Sequence, residues 1–435
     1  MDGSRFSKPR VVCGYLGTAP GNYRRAGTPL IDNDCAAALT RDKENKEHIV
    51  KSYIANAQTP NQSTLVSHKP SVTRALFGTV ALLLLCATVL VAQERSGTIP
   101  IAAAPFLPSP VQVVSTVPSN GDVNPYGVAF VPHGFPGGVL TPGDILVSNF
   151  NNAQNLQGTG TTIVRVPQQG PLSVFFTASP SQPGLSTALA VLQEGLVIVG
   201  SFPSADGTCA TAGNGSLLVI NSFGQQVQTI ADQNFINGPW DMAVYDFGGG
   251  RVDAFITNGL SGKVTRFNMM ISGGQLTVQS KTTIASGYLF QCDPVTFVDA
   301  PTGLVYDAKN DLLYVASSAD NTVFAVSNAA SRNNDGGTGK IIYQDQTHLH
   351  GPLGMSVSPL GHLLVANNDA INPDPNQPSE IVEFTITGNF VKQLSMDPNP
   401  GGSFGLSVSV DGVTSRFAAV DDNVSTLNIW TLPTI

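Results

Sequence analysis

The amino-acid sequence predicts an all-β protein built from a repeated unit, and three observations support this prediction. The 435 residues include 44 glycines and 30 prolines, about one residue in six, which is typical of a chain with many turns. Charged residues make up only 12%, too few for a coiled coil or a disordered polar chain. From residue 111 onward, one pattern of short strands returns six times at intervals of roughly 50 to 60 residues.

Each repeat contains four segments with the pattern of β-strands. The first opens with a bend and a short apolar run, as in residues 125–130 (PYGVAF) and 301–306 (PTGLVY). The second ends on a small polar residue, the third alternates apolar and polar positions, and the fourth is a weaker strand. The second segments end at Asn149, Ser201, Asn258, Ser317, Asn367 and Asp421.

Six units of four strands at this length are typical of β-propeller blades. We therefore predict one domain over residues 111–435, a six-bladed β-propeller of four-stranded antiparallel blades. The sixth unit contains only three strands, whereas residues 111–117 form a strand without a unit. We expect this N-terminal strand to close the last blade as its outer strand, which would leave no unpaired edge there.

Residues 75–92 carry no charge and follow two basic residues, Lys69 and Arg74. This layout predicts a secretory signal peptide over 71–95, cleaved after Ala92, or an uncleaved membrane anchor of the same span. In either case the protein is exported, to the periplasm, to the extracellular space or to a membrane-anchored position. Only an uncleaved anchor would bring it into contact with a membrane.

The segments on either side of this apolar stretch show no repeat. Residues 1–70 have no sustained apolar period, so we expect a disordered tail or a mis-assigned start, with translation beginning near Val66 or Val72. Residues 96–110 are rich in proline and are expected to be a linker.

Charge is divided unevenly along the chain. Residues 1–95 hold 12 Lys and Arg against 7 Asp and Glu, whereas residues 96–435 hold 10 against 23, a net charge of −13. The main body would repel a phosphate backbone, which excludes nucleic acid as a partner. We expect a monomer that binds a protein, a glycan or a small molecule.

Two cysteines, Cys209 and Cys292, follow the apolar segment, and export would place them in an oxidising compartment. Both lie in loops expected on the same face of the propeller, so they either form a disulfide or remain two free thiols. No spacing among the five cysteines suits a zinc site.

The Pro-x-Gly openings and the second strands LYVAS (313–317) and LLVAN (363–367) resemble the NHL-repeat group of six-bladed β-propellers. Gluconolactonases, the strictosidine synthase group and many exported bacterial proteins share that architecture. The resemblance covers roughly residues 111–435 and implies a fold, which by itself does not define a function.

The resemblance also implies where a metal would bind. In gluconolactonase-like enzymes an acid or amide precedes the glycine of the inner strand, and several such side chains converge on one divalent cation. Of the residues at those places here, only one is even a weak oxygen ligand. They are Tyr126, Trp240, Thr302, Leu353 and Phe404. Asp241 replaces a glycine and is the one acid expected near the channel mouth, where it either binds a ligand or stabilises its own turn.

The polar ends of the six second strands are expected to form a ring at one mouth of the channel. Such a ring binds a polar ligand or, because it repeats in every blade, holds the turns in place. The loop 367–376 supplies further oxygen donors, with Asp369, Asn372 and Asp374 as weak candidate ligands for Ca²⁺, the only cofactor that the sequence suggests. For His348 and His350 we expect a solvated loop pair rather than metal ligands.

These observations predict a non-catalytic binding or interaction module that uses the loop-rich face of the propeller. The alternative is a metal-dependent hydrolase, lactonase or lyase of the gluconolactonase or strictosidine synthase kind, with oxygen ligands from Asp241 and from Asn124 or Asp299. A third candidate is a structural envelope protein without a pocket.

Overall fold

The computed structural model describes residues 105–108 and 112–433, and this part of the chain is almost entirely β-structure. The predicted segments 1–70 and 71–95 lie outside the described residues. Within the described ranges the one helical element is a three-residue 3-10 turn, Cys209–Thr211, and no helix there is long and apolar enough to cross a membrane.

The first five blades each contain four consecutive antiparallel strands. The strands of blades one to three are β2 (Val123–Phe130), β3 (Ile145–Asn151), β4 (Thr162–Val166), β5 (Ser173–Thr177), β6 (Leu185–Val191), β7 (Leu196–Ser201), β8 (Ser216–Asn221), β9 (Gln226–Ile230), β10 (Pro239–Asp246), β11 (Arg251–Asn258), β12 (Lys263–Ser272) and β13 (Gln275–Ser286). Those of blades four and five are β16 (Pro301–Asp307), β17 (Leu312–Ser317), β18 (Thr322–Ser327), β19 (Lys340–Tyr343), β20 (Pro352–Val357), β21 (His362–Asn367), β22 (Glu380–Thr385) and β23 (Phe390–Ser395).

The sixth blade joins the two ends of the domain. Its inner strand is β24 (Ser403–Asp411), followed outward by β25 (Thr414–Asp421) and β26 (Thr426–Pro433). Its outer strand is β1 (Gln112–Ser115). β1 pairs antiparallel with β26, with Gln112 opposite Ile429 and Ser115 opposite Thr426. The six-bladed propeller and its closure by an N-terminal strand are therefore confirmed.

The glycine at the opening of the inner strand, present in blades one, four, five and six, allows the inner strands of neighbouring blades to approach closely. A Cβ on Gly405 of blade six would lie 1.6 Å from the carbonyl oxygen of Tyr126 in blade one. A Cβ on Gly303 of blade four would lie 2.1 Å from the carbonyl oxygen of Leu353 in blade five. Any side chain at these positions would push two blades apart, which explains why the pattern recurs.

Most of the hydrophobic core lies between adjacent blades, as expected for a ring of stacked sheets. Between blades four and five, for example, Tyr343 stacks on Phe384 with 4.1 Å between ring centroids. Buried hydroxyl groups also link successive blades: the Ser148 Oγ donates to the carbonyl oxygen of Ser186, and the Ser186 Oγ donates to that of Pro239.

Residues 105–108, within the predicted linker, pack between blades five and six. Phe106 is 6% exposed and Leu107 is 2% exposed, and the Phe106 ring meets Phe417 edge-on at 5.9 Å. The backbone N–H groups of both residues donate to the buried carboxylate of Glu383. Part of the predicted linker is thus docked on the propeller core.

A two-stranded hairpin that the repeat pattern does not predict lies between blades three and four. It consists of β14 (Gln291–Asp293) and β15 (Phe297–Asp299). The pair Cys209 and Cys292 forms a disulfide, with 5.4 Å between the two Cα atoms, which joins this hairpin to the loop after β7.

Candidate functional site

Aromatic side chains fill the channel near the face where the inner strands begin. Tyr126 of blade one stacks on Phe404 of blade six at 4.6 Å between centroids and meets Trp240 of blade three edge-on at 5.5 Å. Blades one and three are not neighbours, so their rings can touch only near the axis. All members of this aromatic cluster are buried: Tyr126, Phe150, Phe202, Trp240, Phe297 and Phe404.

The positions at which the family resemblance implies metal ligands therefore belong to this packing. Tyr126, Trp240, Leu353 and Phe404 lie in the apolar core at the axis, and the Thr302 Oγ1 donates to the carbonyl oxygen of Pro352 at 2.8 Å. Hydrocarbon and ring faces are not ligands for a hard divalent cation, so these residues do not fit the metal of gluconolactonase-like enzymes. Among the described residues no group of three or more His, Cys, Asp or Glu side chains could hold a metal ion.

A pocket of about 230 Å³ opens on the face where the blades are connected, and Tyr126 and Phe404 of the aromatic cluster line it. Its other lining residues include Val295, Thr296 and Asp422. Most of its polar side chains are carboxamides, which both donate and accept hydrogen bonds. They are Asn124, Asn151, Asn155, Gln157, Asn368 and Asn423. We call this site the connection-face pocket.

Two buried amide oxygens in the connection-face pocket have no hydrogen-bond partner among the described residues. Asn124 and Asn151 are 6% and 2% exposed, and the Oδ1 atom of each accepts no hydrogen bond. The Asn151 Nδ2, in contrast, donates to the Asn155 Oδ1 at 2.7 Å. A buried acceptor without a partner costs free energy, which a donor on a bound molecule would recover.

Asp422 is the one ionisable acid in the lining of the connection-face pocket. Burial, followed by the nearby charge of Asp421, raises the pKa of Asp422 to about 7. At neutral pH its carboxyl is therefore present in both protonation states, so it can donate or accept a hydrogen bond.

The disulfide-linked hairpin forms one wall of the connection-face pocket. Val295 and Thr296, in its turn, line the pocket, and the Gln157 Nε2 donates to the Val295 carbonyl oxygen at 2.8 Å. Phe297 follows with a φ of 69°, a left-handed conformation that aromatic residues rarely adopt. Its ring packs on Phe202 and Phe150 at 5.2 and 5.3 Å, which offsets the backbone strain.

The six predicted ring residues are buried, and five of them form hydrogen bonds with nearby strands and connections. The Asn149 Nδ2 donates to the Thr116 carbonyl and to the Thr162 Oγ1 at 3.2 Å each, and the Asn258 Nδ2 donates to the Thr265 Oγ1 at 3.2 Å. None of the six lines the connection-face pocket. Similar local hydrogen bonds engage Ser201, Ser317 and Asn367, while burial raises the pKa of Asp421 to about 6. Ligand binding by this ring stays a prediction.

In four of the six blades, the residue after the ring position is the one whose side chain points towards the axis. Successive side chains of a strand face opposite sides, so a residue that packs into its blade is followed by one that faces the channel. Phe150 and Phe202 follow Asn149 and Ser201 and join the aromatic cluster. Asn368 and Asp422 occupy the equivalent places in blades five and six and line the connection-face pocket. The position one residue after the polar end of a second strand is therefore the sequence signal that could have identified these channel-facing residues.

A second cavity, of about 440 Å³, lies at the opposite end of the inner strands, and all six inner strands contribute to its lining. Asp241 is its one ionisable lining residue. The Asp241 Oδ1 accepts from the Met242 N–H at 2.8 Å, and the Oδ2 accepts from the Leu304 N–H at 3.0 Å. Burial raises the pKa of Asp241 to about 7. We call this site the Asp241 cavity.

The three oxygen-bearing residues of the predicted metal-dependent enzyme do not come together. Asp241 and Asn124 line different cavities at the two ends of the inner strands. Asp299 lies in the hairpin, lines neither cavity and accepts a hydrogen bond from the Thr296 Oγ1 at 2.9 Å. Asp241, Asn124 and Asp299 therefore lie at three different places and do not form one site.

The candidate calcium residues are held by hydrogen bonds within their own loop and to the neighbouring connections. The Asp369 Oδ2 accepts from the Ser379 and Gly401 N–H groups, and the Asp374 Oδ1 accepts from the Asn376 N–H. Asn372 donates through its Nδ2 to the carbonyl oxygen of Gln346. Calcium binding by these residues stays a prediction.

The expectation of a solvated histidine pair is wrong for His350, which is buried. Its ring Nε2 lies 3.3 Å from the buried Glu380 carboxylate, and its backbone N–H donates to the Asn367 Oδ1. Burial raises the pKa of Glu380 to about 7. Contacts with the end of β21 and the start of β22, rather than solvent, therefore surround His350.

The six four-stranded blades define the class of this protein as a six-bladed β-propeller. No family model and no curated protein matches the chain. Among solved structures, it is similar to the aldose sugar dehydrogenase of Streptomyces coelicolor in its PQQ-bound form, with 13% identity over 74% of this chain and 100% of that one and a TM-score of 0.44.

Two other similar structures are also propellers with enzyme descriptions. One is described as a putative gluconolactonase, with 12% identity, coverage of 75% of this chain and 94% of that one, and a TM-score of 0.46. The other is a putative oxidoreductase (glucose dehydrogenase) of Thermus thermophilus, with 14% identity, coverage of 73% and 99%, and a TM-score of 0.45. Likeness at this level says nothing about activity.

Proposed function

We propose that this protein is an exported, NHL-type binding propeller that holds a neutral, hydroxyl-rich small molecule of the sugar or polyol class in the connection-face pocket. The observation that carries the proposal is the pair of buried acceptors, Asn124 Oδ1 and Asn151 Oδ1, which have no partner in the described part of the chain. A hydroxyl group bound there would donate to them.

The remaining lining supports a neutral ligand. Six carboxamides present both N–H donors and carbonyl acceptors, and hydroxyl groups of a sugar or polyol match both. No Lys or Arg lines the pocket, so nothing there would pair with an anion. Asp422 can accept from or donate to a hydroxyl group at neutral pH because its pKa lies at about 7.

The disulfide and the charge of the domain support export. A disulfide persists in an oxidising compartment, and the Cys209–Cys292 bond also holds the hairpin that forms one wall of the pocket. The net charge of −13 over residues 96–435 favours solubility and disfavours binding to nucleic acid, as suits an exported protein.

Isothermal titration calorimetry with D-glucose, D-galactose, myo-inositol and glycerol tests the proposal, with D-gluconate and D-glucosamine as charged analogues. We expect saturable binding of at least one neutral compound, about tenfold weaker in Asn151→Ala because a pocket hydrogen bond contributes roughly 1–2 kcal/mol. Asn376→Ala, an exposed asparagine outside the pocket, is the matched control and should leave binding unchanged. No binding by any neutral compound, or equal binding by Asn151→Ala, would contradict the proposal.

A further inference from the structure

The Asp241 cavity combines a mixed lining with a single acid. Its side chains come from all six inner strands, and the surface that faces the cavity is mostly polar. The aliphatic and thioether side chains in the lining include Val128, Leu189, Met242, Leu304, Met355 and Leu406. At about 440 Å³, the cavity is of the size that accepts a small organic molecule.

The Asp241 carboxylate keeps hydrogen-bonding capacity for a ligand. Each of its oxygens accepts one backbone N–H, from Met242 and from Leu304, whereas an ionised carboxylate has about four acceptor positions. The side chain stands where four of the other five blades carry glycine, so it projects into the space between the inner strands of blades three and four. Its burial makes the ionised state costly unless a cation is bound.

No basic residue lines the cavity to supply that cation. Next to the lining residues Pro132 and Val410, the His133 Nε2 is 3.2 Å from the Asp411 Oδ1, and both side chains are about two-thirds exposed. An interaction this exposed is screened by solvent. The buried acid is therefore the one group in the lining that could recognise a charged ligand.

We propose that the Asp241 cavity binds a small primary monoamine, with the ammonium group on the Asp241 carboxylate and the carbon skeleton against the mixed lining. The site is separate from the connection-face pocket, because the two share no lining residue and Tyr126 and Phe404 of the aromatic cluster line the other end. If the connection-face pocket binds no sugar, this inference still stands. If the Asp241 cavity binds no amine, the proposed sugar binding still stands.

Calorimetry on the wild-type chain tests the inference with n-hexylammonium chloride, 1-hexanol and sodium hexanoate, three probes that share a hydrocarbon chain. At pH 8 we expect the ammonium compound to bind at least about tenfold more tightly than the alcohol, and the carboxylate not to bind. Because burial raises the pKa of Asp241 to about 7, lowering the pH to 5.5 protonates it and should weaken ammonium binding by about tenfold or more. Equal affinity for ammonium and alcohol, or no ammonium binding, would overturn the proposal.

Three variants assign the effect to the cavity. Asp241→Asn should remove the preference for ammonium over alcohol, and Ser407→Phe, which fills the cavity without touching the acid, should abolish binding of both. Asp411→Asn removes an exposed acid at the rim and is the matched control, with affinity unchanged. If Asp241→Asn does not fold, the wild-type probe and pH series decides alone. Full ammonium selectivity in folded Asp241→Asn would refute the assignment.

Discussion

The docking of residues 105–108 predicts that the stability of the whole ring depends on two side chains outside the repeat. In the double variant Phe106→Ala/Leu107→Ala, both buried side chains between blades five and six are lost. Core substitutions of this kind cost about 3–5 kcal/mol for Phe and 2–5 kcal/mol for Leu. The segment undocks as one unit once both are gone, so the costs do not add fully, and we expect a loss of about 3–5 kcal/mol in the free energy of unfolding.

Urea denaturation followed by circular dichroism measures this loss. Val113→Ala is the matched control, because Val113 lies in β1 but is 60% exposed, and its substitution should change stability by less than about 0.5 kcal/mol. A change below about 1 kcal/mol in the double variant would refute the reasoning, since it would mean that the segment contributes nothing to closure of blade six.

Three further predictions follow from buried groups elsewhere. The pKa values of Asp241, Glu380 and Asp422 are raised to about 7, so the folded state keeps protons that the unfolded state releases. The free energy of unfolding should therefore fall as the pH rises from about 4.5 to 7, and greater stability in urea at pH 8 than at pH 5 would contradict this. Cys292→Ser opens a link between residues 83 apart and should cost up to about 4 kcal/mol, seen as a lower thermal midpoint that dithiothreitol does not lower further. Trp240→Ala should cost about 3–5 kcal/mol in urea denaturation, and a loss near zero would show that the aromatic cluster is loosely packed.

The architecture could be predicted because its determinants are local and repeated. Alternating strands and turn residues recur in each unit, and the Pro-x-Gly opening recurs in three of the six. The missing strand of the last unit identified β1 as its closing strand. The hairpin β14–β15 was not predicted because it occurs once, so no repeat distinguishes it from an ordinary connection.

The site could be predicted only in part, because closure of the ring assembles it. Asn124 and Asn423 line one pocket although about 300 residues separate them, and no local pattern relates them. Asp241 stood out because it replaces a glycine in a repeated position. The aromatic residues at the expected metal positions signalled a departure from the family pattern, but their packing into one cluster emerges only when the inner strands meet at the axis.

The placement of the two tryptophans gives the molecule two built-in optical probes. Trp240 lies in the aromatic cluster, whereas Trp430 stacks on Phe417 at 4.9 Å, next to the docked Phe106. With Trp430→Phe the intrinsic emission reports on the channel, and with Trp240→Phe it reports on the junction of blades five and six. Undocking of the N-terminal segment can thus be followed by emission wavelength separately from rearrangement at the axis.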